Sequence, residues 1–268
     1  MTIKVKILAD SVSPHNIRLT TMELFYPRMI HGQFMTHRNF SRNAQSSRAV
    51  PLKRSIEFIE QNPAIPISWG KSEKGMQSTQ ELKDQELETA KQLWDQSRLS
   101  AIEYAKKMQE CKLSKQLANR ILEPWAHINV VVSATNWKNF FHLRCDDMAQ
   151  PEIQELANQM RGALRSGTPT PLKVAGWHLP YILEEEKTTL SIEDQRKCSV
   201  ARCARVSYKT FDTNKLDPVK DIELHDALLK DRHLSPFEHV ATPWENVYCG
   251  NLFGWKQYRK FIPNESGE

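Results

Sequence analysis

Hydrophobic and polar positions alternate from Ile3 to Leu8 and again from Arg18 to Tyr26, a two-residue period that predicts two strands turning through a Ser-Pro-His segment. Pro27 then opens a short helix over Arg28 to His37, since a first-turn proline sacrifices no useful N–H. The polar run Asn39 to Ala49 predicts a loop, and a second helix starts at Leu52 with Pro51 near its first turn. Pro63, Pro66, Gly70 and Gly75 make Asn62 to Ser78 an irregular link. Beyond it Leu82, Leu87, Ala90, Leu93, Trp94, Leu99, Ile102, Ala105 and Met108 mark one long amphipathic helix, suited to core or oligomer contact rather than chemistry. A short helix from Leu113 to Leu122 ends near Pro124, His127 to Thr135 forms a buried strand, and Asn136 to Leu164 holds two helices broken around Asp146 and Pro151. After a polar linker, Leu183 to Asp194 is acidic and weakly patterned. Helical Gln195–Ser207 and Leu216–Asp231 follow, then Ser-Pro-Phe-Glu-His and a tail rich in Trp, Tyr and Phe. The chain has no internal repeat.

Composition narrows the class. With 268 residues, 40% apolar and 26% charged, the chain is an ordinary soluble globular protein of one large domain or two intimate ones. No apolar run approaches the roughly 20 residues of a membrane span and no secretory pattern opens the chain, so a cytoplasmic location without membrane partners is expected. Cys111, Cys145, Cys198, Cys203 and Cys249 are odd in number and lack C-x-x-C pairs, which fits reduced thiols. A net charge of +5 suits small anions at least as well as nucleic acid.

Candidate chemistry concentrates in Gln33 to Pro51. Three arginines, a histidine, two asparagines, two glutamines and four hydroxyl side chains crowd this segment, a composition for phosphate, which arginine forks grip two oxygens at a time. Taken alone the cluster reads equally as a solvated loop or an RNA contact. Arg144 follows Phe140, Phe141 and Leu143 on a largely apolar helix, so it must meet a carboxylate such as Asp146 or a ligand. His233 and His239 by themselves read as capping and core histidines, and no His/Cys/Asp spacing forms a metal ligand set.

Five separated blocks resemble one family, the flavin-dependent thymidylate synthases of the ThyX type. Thr36-His37-Arg38, Ser41, Asn43, Ser46 and Arg48 fall at the offsets of the family's Arg-His-Arg signature, with Gln33 ahead of it. LANRILEP at 117–124 and NFFHLRCDDMAQPEI at 139–153 match two further blocks. ARVSY at 204–208 and HLSPFEH at 233–239 match blocks that the family places before the Arg-His-Arg motif, so the order resembles a circularly permuted, phage-type member.

The resemblance implies an α/β (α+β) fold with a mixed, mostly antiparallel central sheet flanked by helices, in one domain over 1–268. In it, 1–182 carries the Arg-His-Arg-like and Arg144 segments and 195–268 the permuted ones. It implies FAD as cofactor, NADPH and methylenetetrahydrofolate as co-substrates, a pyrimidine deoxynucleoside monophosphate as substrate and a homotetramer; nucleic acid is not an expected partner. A methylene carbon would pass to C5 of dUMP through the flavin without a cysteine nucleophile. By position, Arg144 and Ser46 would be catalytic, and Gln33, Thr36, Ser46, Ser47, Arg48, Arg120 and Arg144 would hold the nucleotide. His37, Arg38, Asn39, Asn139, Ser207, His233, Ser235 and Glu238 would hold FAD.

The chain departs from the pattern at Thr36, Ala44 and Ala49, at Ser133-Ala134-Thr135 where the family has Asn-x-Arg, and at Met148. Losing an arginine and a carboxylate near the nucleotide opens an alternative, a hydroxymethylase acting on dUMP or dCMP, in which water meets the one-carbon adduct. A third reading is a binding protein for nucleotide or RNA that has lost turnover.

Overall fold

The computed structural model describes residues 2–75, 78–208 and 216–266. The two alternating segments pair as expected: β1 (Lys4–Val12) and β2 (Arg18–Pro27) form an antiparallel hairpin through a turn in which Asn16 takes the left-handed backbone, φ 58°. β3 (Ser41–Ala44), β4 (His127–Ala134) and β5 (Thr170–Pro171) complete a sheet of order β3-β4-β2-β1-β5, in which only the β1–β5 pairing is parallel. The expected mixed, mostly antiparallel sheet is therefore present.

Side chains along β2 and β4 alternate between two faces. On one, Met22, Leu24, Tyr26, Ile128, Val130, Val132 and Ala134 pack against α1 (His31–Met35), α5 (Lys138–Arg144) and α6 (Pro151–Ser166) through Phe34, Phe140, Ile153, Leu156 and Met160. The opposite face presents Thr21, Ser133, Ser41 and Asn43 to His178, His239 and Gln257 from the carboxy-terminal part of the chain. Cover on both sides buries all eight residues of β4.

A second core joins α2 (Leu52–Gln61), α3 (Asp84–Glu110), α4 (Lys115–Ala118) and a 3-10 stretch at Asn119–Trp125 through Leu52, Ile56, Ile59, Ile102, Ala105, Leu122 and Trp125. The long helix sits at the margin: only Ile102 and Ala105 are buried, while Leu93, Leu99 and Tyr104 are exposed. Among the described residues no helix is long and apolar enough to cross a membrane. α7 (Glu184–Thr189), α8 (Ile192–Arg205) and α9 (Pro218–Lys230) are held by a buried ionic knot. Arg202 grips Glu186 through two contacts of 2.6 Å and Asp221 at 2.7 Å, and Arg205 adds a contact to Asp221 at 2.8 Å. A hairpin of β6 (Ala241–Cys249) and β7 (Leu252–Gln257) closes the fold.

Local pattern misjudged four places. The helix expected over 28–37 is a 3-10 turn at Arg28–Ile30 followed by α1 alone, and the one expected over 113–122 is the four-residue α4 running into 3-10 geometry that accommodates Pro124. The polar 39–49 loop contains β3, whose inward residues Ser41 and Asn43 are polar because their partners across the interface are polar. The acidic 183–194 stretch forms α7, where Glu184, Glu185 and Glu186 in the first turn suit the helix dipole.

Candidate functional site

The segment after α1 is anchored by its aromatic positions. Phe34, His37 and Phe40 pack on Phe140, with ring centroids 5.8, 4.9 and 5.3 Å away, and Phe40 also meets Trp137 at 4.7 Å. With these rings turned inward, Thr36, Arg38 and Asn39 are left facing solvent. Arg42 ties the turn from behind by donating to the carbonyls of Met35 and His37 at 2.9 and 3.0 Å. α5 supplies the opposite wall, and Asn136 sets its start by accepting from the Lys138 N–H at 3.0 Å.

Between these walls lies a cavity of about 200 Å3 lined by Thr36, His37, Arg38, Asn39, Phe40, Asn136, Asn139, Phe140, Leu143 and Arg144. It brings together six of the residues singled out in the sequence: Thr36, His37, Arg38, Asn39, Asn139 and Arg144. Arg144 Nε donates to His37 Nε2 at 3.0 Å, and Nη2 donates to Thr36 Oγ1 at 3.4 Å. Of the two partners open to Arg144, the carboxylate of Asp146 is not taken: Asp146 accepts instead from the Met148 N–H at 2.8 Å, and no carboxylate among the described residues lies within ion-pair distance of Arg144.

A guanidinium has no lone pair to offer, so His37 Nε2 must be the acceptor and the imidazole proton sits on Nδ1. Burial first, then Arg144 and Arg42, push the His37 pKa from 6.5 down to about 4, leaving the ring neutral near pH 7. Arg38 has no protein partner among the described residues. Two arginines, three amide side chains and no acidic residue line the cavity, so it is electropositive and rich in unspent donors.

The remaining positions lie in other places. Ser46 N donates to Ser207 O at 3.3 Å, Ser207 Oγ donates to Ala44 O at 3.2 Å, and Ser46 Oγ accepts from Arg48 N at 3.2 Å. Asn119 lashes this turn to the 119–125 stretch by donating to Ser47 O and Val50 O, each at 2.9 Å. Arg48 and Arg120 are exposed, and Arg120 pairs with Glu123 at 2.9 Å. Gln33 is bonded to Gln150 rather than to this turn. Ser235 accepts from Asn43 at 3.2 Å, Glu238 pairs with Arg259 at 2.7 Å, and His233 is exposed. Within one chain, then, Ser46, Ser47 and Arg48 share a turn that Asn119 ties to the stretch carrying Arg120, while Arg144 lines the cavity beside α5. The linings Asn136 and Phe40 and the buried Asn43–His239 pair escaped sequence reasoning; the helix-start position of Asn136 was the available signal.

Burial raises the thiol pKa of Cys145, of Cys198 to about 11, and of Cys203 further still, which keeps these thiols from acting as thiolates near pH 7. No group of three His, Cys, Asp or Glu side chains among the described residues could hold a metal ion.

A family model described as thymidylate synthase complementing protein matches residues 10–170, more than half of the chain. The matched span runs from β1 to β5 and leaves the carboxy-terminal cover outside it. Similar solved structures include a UMP/dUMP methylase PolB from Streptomyces cacaoi bound with 5-Br UMP, at 13% identity and TM-score 0.49 over 61% of this chain and 88% of that one. The same methylase bound with 5-Br dUMP gives 14% identity and TM-score 0.48 over 61% and 90%. No curated protein matches the chain at a significant level.

Proposed function

The chain belongs to the thymidylate synthase complementing protein family, and from that premise we propose that it transfers a one-carbon unit to C5 of a pyrimidine deoxynucleotide, converting dUMP to dTMP. The observation that carries this reading is Arg144: a guanidinium fixed by His37 and Thr36, without a carboxylate partner among the described residues, on the wall of an electropositive cavity. A fixed donor of this kind stabilises charge developing on the pyrimidine ring, and such donors contribute about 3–4 kcal/mol when preorganised. Neutral His37 holds the Arg144 fork without cancelling its charge.

In this reading Arg144, Thr36, Ser46, Ser47, Arg48, Arg120 and Gln33 bind the nucleotide, with Arg144 and Ser46 nearest the chemistry. His37, Arg38, Asn39, Asn139, Ser207, His233, Ser235 and Glu238 bind FAD. The residues present suit that cofactor: Arg38 is a cation without a protein partner among the described residues, and Asn39 and Asn139 are exposed amides beside it. Bound flavin would supply the hydride, recharged from NADPH, with methylenetetrahydrofolate as the carbon source. A cavity of about 200 Å3 falls short of the roughly 300–1,000 Å3 usual for ligand pockets. That shortfall supports a site completed by neighbouring copies in a homotetramer. Contacts of Ser207 with Ser46 and of Ser235 with Asn43 support reading 1–268 as one permuted unit, in which 195–268 supplies what an earlier segment supplies in other members.

Thr36 favours a second reading. It puts a hydroxyl, already donating to Gln33 O at 2.7 Å, where the family's first arginine is expected, so the nucleotide meets one cation fewer and water has more room. That reading is a dUMP or dCMP hydroxymethylase. Mass spectrometry of the product from purified protein, FAD, NADPH, methylenetetrahydrofolate and either nucleotide decides: a methyl increment on dUMP supports the synthase and a hydroxymethyl increment supports the second reading. Bound flavin without product on either nucleotide refutes both, and a protein that binds no flavin but retains RNA is a binding relative.

A further inference from the structure

A row of polar side chains crosses the sheet beneath the carboxy-terminal cover. Ser11 Oγ lies 2.8 Å from His178 Nδ1, His178 Nε2 lies 2.8 Å from Thr21 Oγ1, and Thr21 Oγ1 lies 2.5 Å from Ser133 Oγ. Ser133 Oγ then lies 2.8 Å from His239 Nδ1, His239 Nε2 lies 3.0 Å from Asn43 Oδ1, and Asn43 Nδ2 lies 3.2 Å from Ser235 Oγ. The row steps through β1, β2, β4 and β3 in turn. Every member from Ser11 to Asn43 is buried, and Ser235 alone is exposed.

Burial holds both imidazoles neutral, with pKa values pushed down to about 3. A neutral imidazole has one donor and one acceptor nitrogen, and with each hydroxyl donating to one neighbour in the row and accepting from the other, the row has two polarities. Pointing inward, Ser11 accepts from His178 and its own buried hydroxyl proton is left without a partner. Pointing outward, Ser11 donates to His178, both imidazoles carry the proton on Nε2, and the one unspent hydroxyl proton belongs to Ser235 at the surface. A buried unmet donor forfeits its hydration whereas an exposed one does not, so the outward polarity wins. Asn43 is the pivot, its Oδ1 accepting from His239 while its Nδ2 donates to Ser235.

We propose that this row fixes Ser235 as a hydrogen-bond donor toward an acceptor oxygen, phosphate or carbonyl, of a bound ligand, with Asn43 and His239 as positioning residues. The identity of that ligand as FAD rests on the function proposed above. The row also explains why polar side chains sit on strands in the interior: with a neutral donor–acceptor relay from end to end, each buried group is matched.

Nitrogen-15 spectra of the histidine side chains in the cofactor-free full chain test the polarity. Both His178 and His239 are expected as Nε2–H tautomers, and an Nδ1–H tautomer at either overturns the proposal. FAD affinity tests the consequence. In Asn43→Asp the carboxylate accepts from both neighbours, so Ser235 turns its proton inward, and affinity should fall about tenfold, close to 1.4 kcal/mol. Ser235→Ala should lose the same factor, the double variant no more than either, and Ser235→Thr should retain binding. Unchanged affinity in Asn43→Asp, or additive losses, overturns the proposal. A wild-type chain that binds no FAD sinks the flavin reading of Ser235, while the tautomers still decide the polarity.

Discussion

Replacing Arg144 by Ala separates catalysis from folding. The side chain is half-buried at the end of α5 and makes two hydrogen bonds, one of them long at 3.4 Å, so its removal leaves no buried charge behind and alanine suits the helix at least as well. Stability should fall by no more than about 1 kcal/mol. The charge it presents to the cavity is another matter: losing a preorganised donor at about 3–4 kcal/mol, with 1.36 kcal/mol per decade, lowers kcat by roughly 10²- to 10³-fold. His37 provides an independent reporter. Its pKa of about 4 is set first by burial and next by Arg144, so the variant should raise it toward 6.5 without reaching that value. Initial rates of product formation, urea unfolding and a His37 titration by NMR together complete the assay. Activity within tenfold of wild type, or a His37 midpoint that does not move, refutes the assignment of Arg144.

Arg202→Leu should cost about 3–5 kcal/mol, because Glu186 is left as a buried charge without a cation and Asp221 keeps only its contact with the more exposed Arg205; Arg202 is what chiefly holds the Glu186 carboxyl below its ordinary range. Urea unfolding measures this, and a loss under 1 kcal/mol would show that the knot is not a unit. Gly254→Ala should cost about 2 kcal/mol, since φ is +72° and the new Cβ would meet Ile17 Cγ1 at 2.9 Å; an unchanged unfolding midpoint contradicts it. Acid should weaken the fold early. His178 and His239 refuse a proton in the fold down to about pH 3, whereas unfolded histidine accepts one near 6.5, so stability is complete above pH 6.5 and falls on acidification toward 3. The slope is about 1.4 kcal/mol per pH unit for each of the two, and a urea midpoint equal at pH 7 and pH 5 would refute it.

Elements whose signal is local were legible along the chain. Alternation gave β1 and β2, the apolar run gave β4, and the three-to-four-residue apolar spacing placed the long helix within two residues of its start. Motif offsets named Thr36, His37, Arg38, Asn39, Asn139 and Arg144, which the fold gathers around one cavity from two separate segments. Tertiary structure alone decided what depends on partners distant along the chain. β3 is a strand because its inward Asn43 and Ser41 meet His239 and Gln257, some two hundred residues away, and no local pattern announces polar residues matched to polar residues. Arg144 pairs with His37 rather than its near neighbour Asp146 because the Phe140 and Phe40 packing turns the two segments toward each other, while Asp146 is taken up by the backbone of its own turn. Periodicity records which face of a segment is buried; only the folded chain settles which side chains meet there, and with them the charge and proton placement on which chemistry depends.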